Sequence, residues 1–565
     1  MWSKIVKIFR SFTKTELKAF VIAFLLAIFS LVFLAIIYFN HHLISVPVSG
    51  GEFTQGVIGQ PTNINPVTAR SEVDQFMVHL IFSNLTSLTS SIQPDASDKV
   101  WSVRLNDGLR WQDGQKLTSD DVIFTVDSIQ EAASESPLFQ SWQGVVAKRV
   151  SELEVDFVLP APYAFFNDIL DNLYILPKHL YANVPVANWR LSDYNLSPIG
   201  SGPYEFVGFK KQPNGYITDY FLKANNHYFG SKPLIQNLNI KFFNNEESLT
   251  EAFNNGQIDG LGGFISNSIL QGLERPYDLY KFQIPYYYAV FFNQNANPIL
   301  QDINVRKALS LVVDRNKIID SVFGGNAVPV TNPLPSFIPD FSNLSSSSSI
   351  SNSLASSSTS TNPFIEASNL LDADGWKLST STNYRQKLIN GSSTPLQLTL
   401  TVPQDDNSLI ETAKILVNDW QNIGVSVQLN VLSSSDIQSA IKYRNYQMII
   451  FGEALNPIRD LYAFWDSNEI NYPGLNLALY SNKSVDSLLD NIRHEPDQSN
   501  QNNLLSSLKQ QITGDYPAVF LYSPYYLYVA SKNLRGIEGG FIKNQFGYLG
   551  QISNWFVYEA LSFKK

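Results

Sequence analysis

The sequence predicts an α/β protein carried behind one membrane-spanning helix, and three stretches support this. The segment Ala19–Phe39 has no charged residue and is long enough to cross about 30 Å of hydrocarbon at about 1.5 Å per residue. Residues 101–130 have the pattern of strands, turns and a capped helix. Residues 396–429 have the pattern of a strand, a helix and a second strand, the repeating unit of α/β architecture.

The membrane segment also predicts an orientation. Residues 1–18 carry five basic side chains and one acidic side chain, so the positive-inside rule places this tail in the cytoplasm and the rest of the chain outside. Bulky residues, Tyr38-Phe39-Asn40-His41, stand at the end of the apolar run, where a signal peptidase would need small ones. We therefore predict an uncleaved membrane anchor at Ala19–Phe39 in preference to the alternative, a cleaved signal segment.

Composition predicts a large folded body and excludes several function classes. Of the 565 residues, 44% are hydrophobic and 16% are charged, which suits three or four domains or one large bilobed unit. The net charge of −10 argues against nucleic-acid binding, which needs a basic surface. The absence of cysteine excludes disulfides, thiolate catalysis and a lipid-modified N-terminal cysteine. The six histidines show no metal-binding spacing, so we predict neither a metal nor a cofactor.

The stretch Leu105–Gln130, LNDGLRWQDGQKLTSDDVIFTVDSIQ, is the most informative part of the chain. Asp107-Gly108 and Asp113-Gly114 are turn dipeptides, in which glycine supplies a positive φ. Thr118 and Asp121 have the spacing of a capping box at a helix start. On local physics alone, this pattern predicts only a hairpin and a helix of an α/β domain.

The order of residues in this stretch resembles the signature region of family 5 extracellular solute-binding proteins, the peptide-binding subunits of ABC importers. Similar stretches follow in the family's order, among them Pro198–Phe209 (PIGSGPYEFVGF), Asp302–Asp320 (DINVRKALSLVVDRNKIID), Ile365–Trp376 (IEASNLLDADGW) and Tyr446–Trp465 (YQMIIFGEALNPIRDLYAFW). The chain has no nucleophile-elbow or phosphate-loop motif, so we predict that it is not an enzyme.

The resemblance implies a bilobed, periplasmic-binding-protein-like α/β fold of class II type, three-lobed, with mixed sheets joined by a hinge. The first lobe is expected to be discontinuous, formed by residues 46–88, 198–294 and 515–565. The second lobe is expected at 89–197 and the third at 295–514. A Ser-rich insertion at 342–360 within the third lobe is predicted to be disordered, because it cannot bury enough apolar area to offset chain entropy.

The resemblance also implies a ligand clamp between the first and third lobes. In peptide-binding relatives an aspartate pairs with the α-ammonium of the ligand, and the aligned position here is Asn456, or Leu455 with a shift of one residue. Glu453 and Asp460 are the nearest carboxylates, either to replace that aspartate or as ordinary loop residues. Arg444 is expected to meet a ligand carboxylate. The full set of predicted ligand-binding residues is Glu72, Tyr288, Arg444, Gly452, Glu453, Ala454, Asn456, Asp460 and Tyr522.

The function that this implies is a membrane-tethered, monomeric receptor that captures peptides by hinge closure. It would deliver them to an ABC permease and its ATPase subunits. Two alternatives remain open from the sequence. One is the same fold with another solute, such as an oligosaccharide or a metal chelate, since the ammonium-binding aspartate is missing. The other is a surface sensor or adhesion protein that uses the fold without transport.

Overall fold

A computed structural model describes residues 12–563, except 266, 343, 345–361 and 390. The predicted Ser-rich insertion, 342–360, therefore lies almost wholly outside the described residues. The described chain forms one long N-terminal helix, a two-stranded ribbon beside it, and a body built on sheets of eight, four and six strands. A further sheet of three short strands, Lys377–Leu378, Arg385–Ile389 and Ser392–Pro395, borders the six-stranded sheet.

The N-terminal helix runs over Lys14–His42 and contains the predicted membrane segment. It is the one helix in the described residues that is long and apolar enough to cross a membrane, and its apolar window is fully exposed. The strand Leu43–Val48 begins directly where the helix ends. It pairs antiparallel with the C-terminal strand Tyr558–Phe563. We call these two strands the terminal ribbon.

The eight-stranded mixed sheet forms the first lobe. Its strands, in spatial order, are Gly540–Phe541, Tyr277–Gln283, Tyr526–Ser531, Gly260–Gly263, Glu52–Ile58, Asn237–Phe243, Ile217–Ala224 and Tyr204–Lys211. The helices of this lobe are Glu72–Ile81, Glu246–Asn254 and Asn267–Gly272. Ser71 caps the first of them through the backbone N–H of Asp74, so a local polar contact fixes where this helix starts.

The four-stranded antiparallel sheet forms the second lobe. Its strands, in spatial order, are Thr89–Pro94, Val100–Leu105, Glu154–Val158 and Val146–Ser151. Its helices are Ser119–Gln130, Phe139–Trp142, Phe166–Asp171 and Lys178–Tyr181. The Thr118–Asp121 capping box is present as predicted. The buried side chains of the first two lobes form one continuous core, so these lobes act as a single body.

The six-stranded mixed sheet forms the third lobe, with a separate hydrophobic core on each face. Its strands, in spatial order, are Ala327–Pro329, Ala518–Pro524, Tyr286–Phe292, Met448–Ala454, Gln397–Pro403 and Ser426–Leu432. The main helices are Ile303–Leu311, Arg315–Phe323, Pro339–Ser342, Pro363–Ala373, Asn407–Gln421, Ser434–Tyr443, Tyr462–Trp465, Lys483–His494 and Gln498–Asp515.

The sheet membership of two strands differs from the predicted lobe bounds. Tyr286–Phe292 and Ala518–Pro524 pair in the six-stranded sheet, although the bounds drawn from sequence placed both in the first lobe. The chain passes between the two sheets at residues 284–285 and again at Tyr525. The two passages are neighbours, because Phe282 pairs with Tyr526 in one sheet and Tyr288 pairs with Tyr522 in the other. We call residues 282–288 and 520–526 the crossover ribbon.

Candidate ligand-binding site

A cavity of ≈540 Å³ lies beside the crossover ribbon, between the first two lobes and the third. Ile284, Pro285 and Tyr286 of the ribbon form part of its wall. All three lobes contribute to the rest, with the lining residues Pro66, Ala69, Gln75, Val78, His79, Pro137, Leu138, Asn172, Tyr174, Phe264, Ala454, Leu455, Asn456, Lys543, Asn544, Gln545 and Phe546. A cavity enclosed by lobes that meet at a hinge is a typical place for a small ligand.

Two of the predicted residues, Ala454 and Asn456, line this cavity. The side-chain oxygen of Asn456 accepts a hydrogen bond of 3.2 Å from the side-chain nitrogen of Asn172. None of the described residues that line the cavity is acidic. The one lysine, Lys543, is bound by Asp171 at 3.1 Å and Asp168 at 3.6 Å. The polar part of the wall is therefore mainly neutral amide and imidazole.

His79 lies at the wall of the cavity and was not among the residues predicted from sequence. Its Nδ1 lies 2.8 Å from the carbonyl oxygen of Gln75, and its ring packs between Tyr174 and Phe546 with centroids 4.6 and 4.7 Å away. Desolvation lowers its pKa to about 4, so the imidazole is neutral at physiological pH. The sequence signal that could have pointed to His79 as a cavity residue is its position among the apolar residues of the helix Glu72–Ile81.

Glu72 lines a second, neighbouring cavity of ≈270 Å³. Phe264 and Phe546 belong to the walls of both cavities, which brings Glu72 close to the main one. Its side chain is exposed to the recess, but the surrounding groups desolvate the carboxylate and raise its pKa. The recess also contains the rings of Tyr526 and Tyr548. A carboxylate beside aromatic rings suits a ligand cation.

Glu453 lies on the opposite side of its strand from Gly452 and Ala454, because successive side chains of a strand point to opposite faces. It is fully buried in the third lobe, where Tyr287 donates a hydrogen bond to Oε2. Its Oε1 has no hydrogen-bond partner. Burial raises the pKa of Glu453 to about 8. The structure therefore places this predicted ligand residue in the core and away from the cavity.

Gly452 is required by a close approach of the crossover ribbon. A Cβ atom built on Gly452 would lie 1.8 Å from the hydroxyl oxygen of Tyr286. Glycine at this position therefore allows Tyr286 to lie across the strand and form the cavity wall. Gly452 was predicted to bind the ligand, whereas the close approach in the structure gives it the role of positioning the side chain of Tyr286.

Tyr288 and Tyr522 support the wall from behind and do not line the cavity. Their ring centroids lie 5.5 Å apart, and Tyr288 also contacts Tyr286 at 5.1 Å. Tyr522 is fully buried, and its hydroxyl lies 3.0 Å from the hydroxyl of Thr412. Burial raises the pKa of Tyr288 to about 12. The structure gives both residues contacts with protein groups in place of a ligand.

Arg444 ends the helix Ser434–Tyr443 in a left-handed conformation, with φ of 55°. Its guanidinium donates hydrogen bonds to the carbonyl oxygens of Ile441 at 3.1 Å, Ile470 at 2.8 Å and Gly474 at 2.6 Å. These bonds occupy the group that was expected to meet a ligand carboxylate. Arg444 joins a helix end to the following loops and does not line the cavity.

Asp460 connects the second lobe to the third. Its Oδ2 accepts hydrogen bonds from the Tyr163 hydroxyl at 2.8 Å and from Arg493 Nε at 3.1 Å. The backbone N–H of Ala164 donates to the carbonyl of Arg493 at 2.9 Å, and Phe165 is buried in the core of the third lobe. We call Tyr163, Phe165, Asp460 and Arg493 the interlobe latch. Local sequence carries no signal for contacts between residues about 300 positions apart.

Comparison with known proteins identifies the family. A family model described as "Bacterial extracellular solute-binding proteins, family 5 Middle" matches residues 86–471. The chain is a family 5 extracellular solute-binding protein. The resemblance noted in the sequence is confirmed, and so is the bilobed α/β fold. Family 5 proteins are the solute-binding components of ABC transporters and are binding proteins rather than enzymes.

Three known proteins are similar to this chain. The oligopeptide-binding protein AppA of Bacillus subtilis is 25% identical over 521 residues, which cover 87% of this chain and 90% of AppA. The crystal structure of the ABC transporter substrate-binding protein CtaP of Listeria monocytogenes has a TM-score of 0.74 and 22% identity, covering 90% of this chain and 99% of CtaP. NikZ of Campylobacter jejuni, solved with Ni(L-His), has a TM-score of 0.67 and 24% identity, covering 89% and 99%.

In this family 5 protein, a substitution in the interlobe latch should have a measurable effect on lobe closure. Tyr163→Phe is expected to shift the lobes toward the open form, because a hydrogen bond to a charged group contributes about 1.5–3 kcal/mol. The measurement is the radius of gyration by X-ray scattering without ligand, together with the distance between labels on single cysteines in lobes two and three. Tyr443→Phe, at a tyrosine that is 71% exposed, is the control. Equal lobe separation in both variants would contradict the role of the latch.

Proposed function

We propose that this family 5 protein is a membrane-tethered receptor that captures peptides between its lobes and delivers them to an ABC permease driven by ATPase subunits. The observation that carries the proposal is the cavity beside the crossover ribbon, whose wall combines all three lobes. A ligand that contacts both bodies binds the closed form better than the open form and therefore shifts the population toward it. The closed form is then the state that docks on the permease.

Amide side chains support a peptide as the solute. Gln75, Asn172, Asn456, Asn544 and Gln545 all line the cavity, and each can donate and accept hydrogen bonds. Such groups match the N–H and C=O groups of an extended peptide without regard to its sequence. The similarity to a protein named as oligopeptide-binding agrees with this choice.

We further propose that Glu72 takes the cationic group of the ligand. No described residue in the wall of the main cavity carries a carboxylate, whereas a buried ammonium needs one to offset its desolvation. Glu72 lies in the adjoining recess, and its carboxylate forms no hydrogen bond or ion pair with another described residue. The shared walls, Phe264 and Phe546, connect the two spaces. A peptide whose main chain crosses the main cavity would place its amino end toward Glu72.

A second candidate is a solute without a free ammonium, such as a metal chelate or an oligosaccharide. The neutral wall around Asn456 favours it, since this position holds an amide where the peptide-binding pattern has a carboxylate. The similarity in fold to NikZ, solved with Ni(L-His), is compatible with it. The two candidates differ in the chemistry of the ligand that should be found in the purified protein.

The test begins with native mass spectrometry of the full-length protein purified from its source membrane. We expect bound peptides to be released on denaturation. Glu72→Gln is then expected to weaken binding of such a peptide about tenfold or more, since a charged hydrogen bond of about 1.5–3 kcal/mol is lost. Glu72→Gln should have little effect on the affinity for the same peptide with an acetylated amino end.

The matched control is Glu251→Gln, at an exposed glutamate of the same lobe. It should leave both affinities unchanged. Sugars or metal chelates recovered in place of peptides would overturn the peptide proposal in favour of the second candidate. Equal weakening of the free and acetylated peptides by Glu72→Gln would retain peptide binding and remove the role assigned to Glu72.

A further inference from the structure

We propose that the recess beside Glu72 is a pocket for the side chain of the first residue of the ligand, and that it selects peptides that begin with an aromatic or large aliphatic residue. The inference deepens the proposed function and rests on it, since it needs a peptide whose amino end lies at Glu72. It names a class of peptide, which the neutral amide wall of the main cavity does not.

The position of Glu72 determines which part of the ligand enters the recess. The α-ammonium and the side chain of an amino acid are bonded to the same Cα atom and therefore lie close together. Phe264 and Phe546 border both the recess and the main cavity, so the main chain of the ligand leaves the recess along these two rings. With the ammonium at Glu72 and the main chain in the main cavity, the first side chain occupies the rest of the recess.

Aromatic rings form a large part of the recess wall. Phe76 packs against Phe546 with ring centroids 6.5 Å apart. Tyr526 packs against Phe264 at 6.0 Å and against Tyr548 at 5.4 Å. An aromatic side chain of the ligand can extend these contacts, because rings attract each other beyond the effect of buried area. At ≈270 Å³, the recess is smaller than the pockets of about 300–1,000 Å³ that take complete small ligands, which suits a single side chain.

Two large apolar side chains of the wall are left exposed. Ile58 is 41% exposed at the end of the strand Glu52–Ile58, and Phe264 is 46% exposed. Leu249 and Leu261 of the same wall are buried. Removal of apolar surface from water is favourable. An apolar side chain of the ligand is therefore stabilised when it covers Ile58 and Phe264.

The charges of the recess exclude an acidic first residue. Glu72 and Glu246 both line it, and none of its described wall residues is basic. The amide of Gln55 is already used, because its nitrogen donates to the carbonyl of Gly56 at 3.0 Å and its oxygen accepts from the hydroxyl of Tyr528 at 2.6 Å. A carboxylate on the first side chain would meet like charges without a basic partner. An apolar side chain needs no such partner.

The recess is built within one body of the protein. Its described wall residues come from strands and helices of the first lobe and from the segment that follows the strand Gly540–Phe541. The main cavity, in contrast, takes its walls from all three lobes. Opening of the hinge therefore changes the main cavity and leaves the recess intact. The amino end of a peptide can thus bind in the open form, before the third lobe closes over the rest of the ligand.

The test compares three alanine-based pentapeptides that begin with phenylalanine, alanine or aspartate. Their affinities for the full-length protein in detergent are measured by calorimetric titration. We expect the phenylalanine peptide to bind about tenfold more tightly than the alanine peptide, because a large apolar side chain becomes buried. The aspartate peptide should bind about tenfold more weakly than the alanine peptide, because of the two carboxylates. Equal affinities for the phenylalanine and alanine peptides, or for the phenylalanine and aspartate peptides, would overturn the proposal.

Ile58→Trp fills the recess from an exposed position of its wall. This variant should lose most of the preference for phenylalanine over alanine and retain the parent's affinity for the alanine peptide. Val207→Trp is the matched control, at a residue that is 57% exposed on the strand Tyr204–Lys211 of the same sheet. It should retain the full preference. A preference that is equally strong in Ile58→Trp and Val207→Trp would overturn the assignment of the recess.

Glu72→Gln separates failure of this inference from failure of the proposed function. It should weaken the phenylalanine and alanine peptides by the same factor, because both carry the same α-ammonium. Equal affinities for these two peptides, with a loss of affinity in Glu72→Gln, would retain the peptide receptor and remove the side-chain pocket. Failure of all three peptides to bind the parent protein would count against peptide binding itself, and the pocket would be withdrawn with it.

Discussion

Gly200→Ala is expected to destabilise the joined first and second lobes by about 3 kcal/mol, near the upper end for inserting one methyl group into a packed site. A Cβ atom on Gly200 would lie 1.9 Å from the carbonyl oxygen of Ile81. The obstacle is backbone and cannot rotate away. The adjacent Gly202 also touches Ile81 and donates a backbone hydrogen bond of 2.8 Å to the same oxygen. The added methyl group must therefore displace either the loop or the helix end.

The displaced helix end is part of the helix Glu72–Ile81, which carries Glu72, Gln75 and His79 to the two cavities. Gly200→Ala should consequently weaken ligand binding as well as stability. Urea unfolding measures the change in the free energy of unfolding. Calorimetric titration with a peptide ligand measures the change in affinity. Gly208→Ala is the matched control, because no atom lies within 4 Å of a Cβ at that position. Equal unfolding free energies for the two variants would show that the close approach at Ile81 does not limit the residue at 200.

Glu453→Gln is expected to remove much of the loss of stability that the protein undergoes between pH 5 and pH 8. Burial raises the pKa of Glu453 from 4.5 to about 8. Above pH 4.5 the unfolded state releases this proton while the folded state retains it, so the folded state becomes less stable as pH rises. At 1.36 kcal/mol per pKa unit, the loss is about 3 kcal/mol from pH 5 to pH 7. Above pH 8 both states are ionised and this loss levels off.

Glutamine has no proton to lose, and its side-chain oxygen can still accept the hydrogen bond from Tyr287. We therefore expect Glu453→Gln to exceed the parent protein in stability at pH 8 and to show a flatter profile of unfolding free energy against pH. Glu538→Gln is the control, at an exposed glutamate whose recorded hydrogen bonds come from its backbone. Parallel pH profiles for the parent and Glu453→Gln would mean that Glu453 is ionised in the fold.

Sequence predicted the parts of the fold that local chemistry determines. The Thr118–Asp121 capping box depends on neighbours three residues apart, and the long apolar helix depends on a continuous run of side chains. The sheet to which each strand belongs was harder to predict from the sequence. Tyr286–Phe292 is an apolar run buried on both faces, and such a run indicates a central strand without saying in which of two sheets it lies.

Of the residues predicted to bind the ligand, Ala454 and Asn456 line the cavity, and they are close neighbours in the chain. Glu453, which directly precedes Ala454, faces the core. The alternation of side chains along a strand shows which residues share a face, but it does not show which face meets the ligand. Arg444 has the charge for a ligand carboxylate, yet tertiary contacts give its donors to backbone carbonyls. The latch between Tyr163 and Asp460 joins segments that only the complete fold brings together.

The crossover ribbon has a mechanical consequence. Its two passages are adjacent antiparallel segments that pair in both sheets, and Pro285 and Pro524 stiffen the backbone where it changes sheet. Two neighbouring segments act as one hinge axis. Motion of the joined first and second lobes relative to the third lobe therefore reduces to rotation through a single angle. The latch joins the second lobe to the third outside the crossover ribbon, so it acts on this one angle. A modest interaction at the latch can therefore bias the resting angle between the joined first and second lobes and the third lobe.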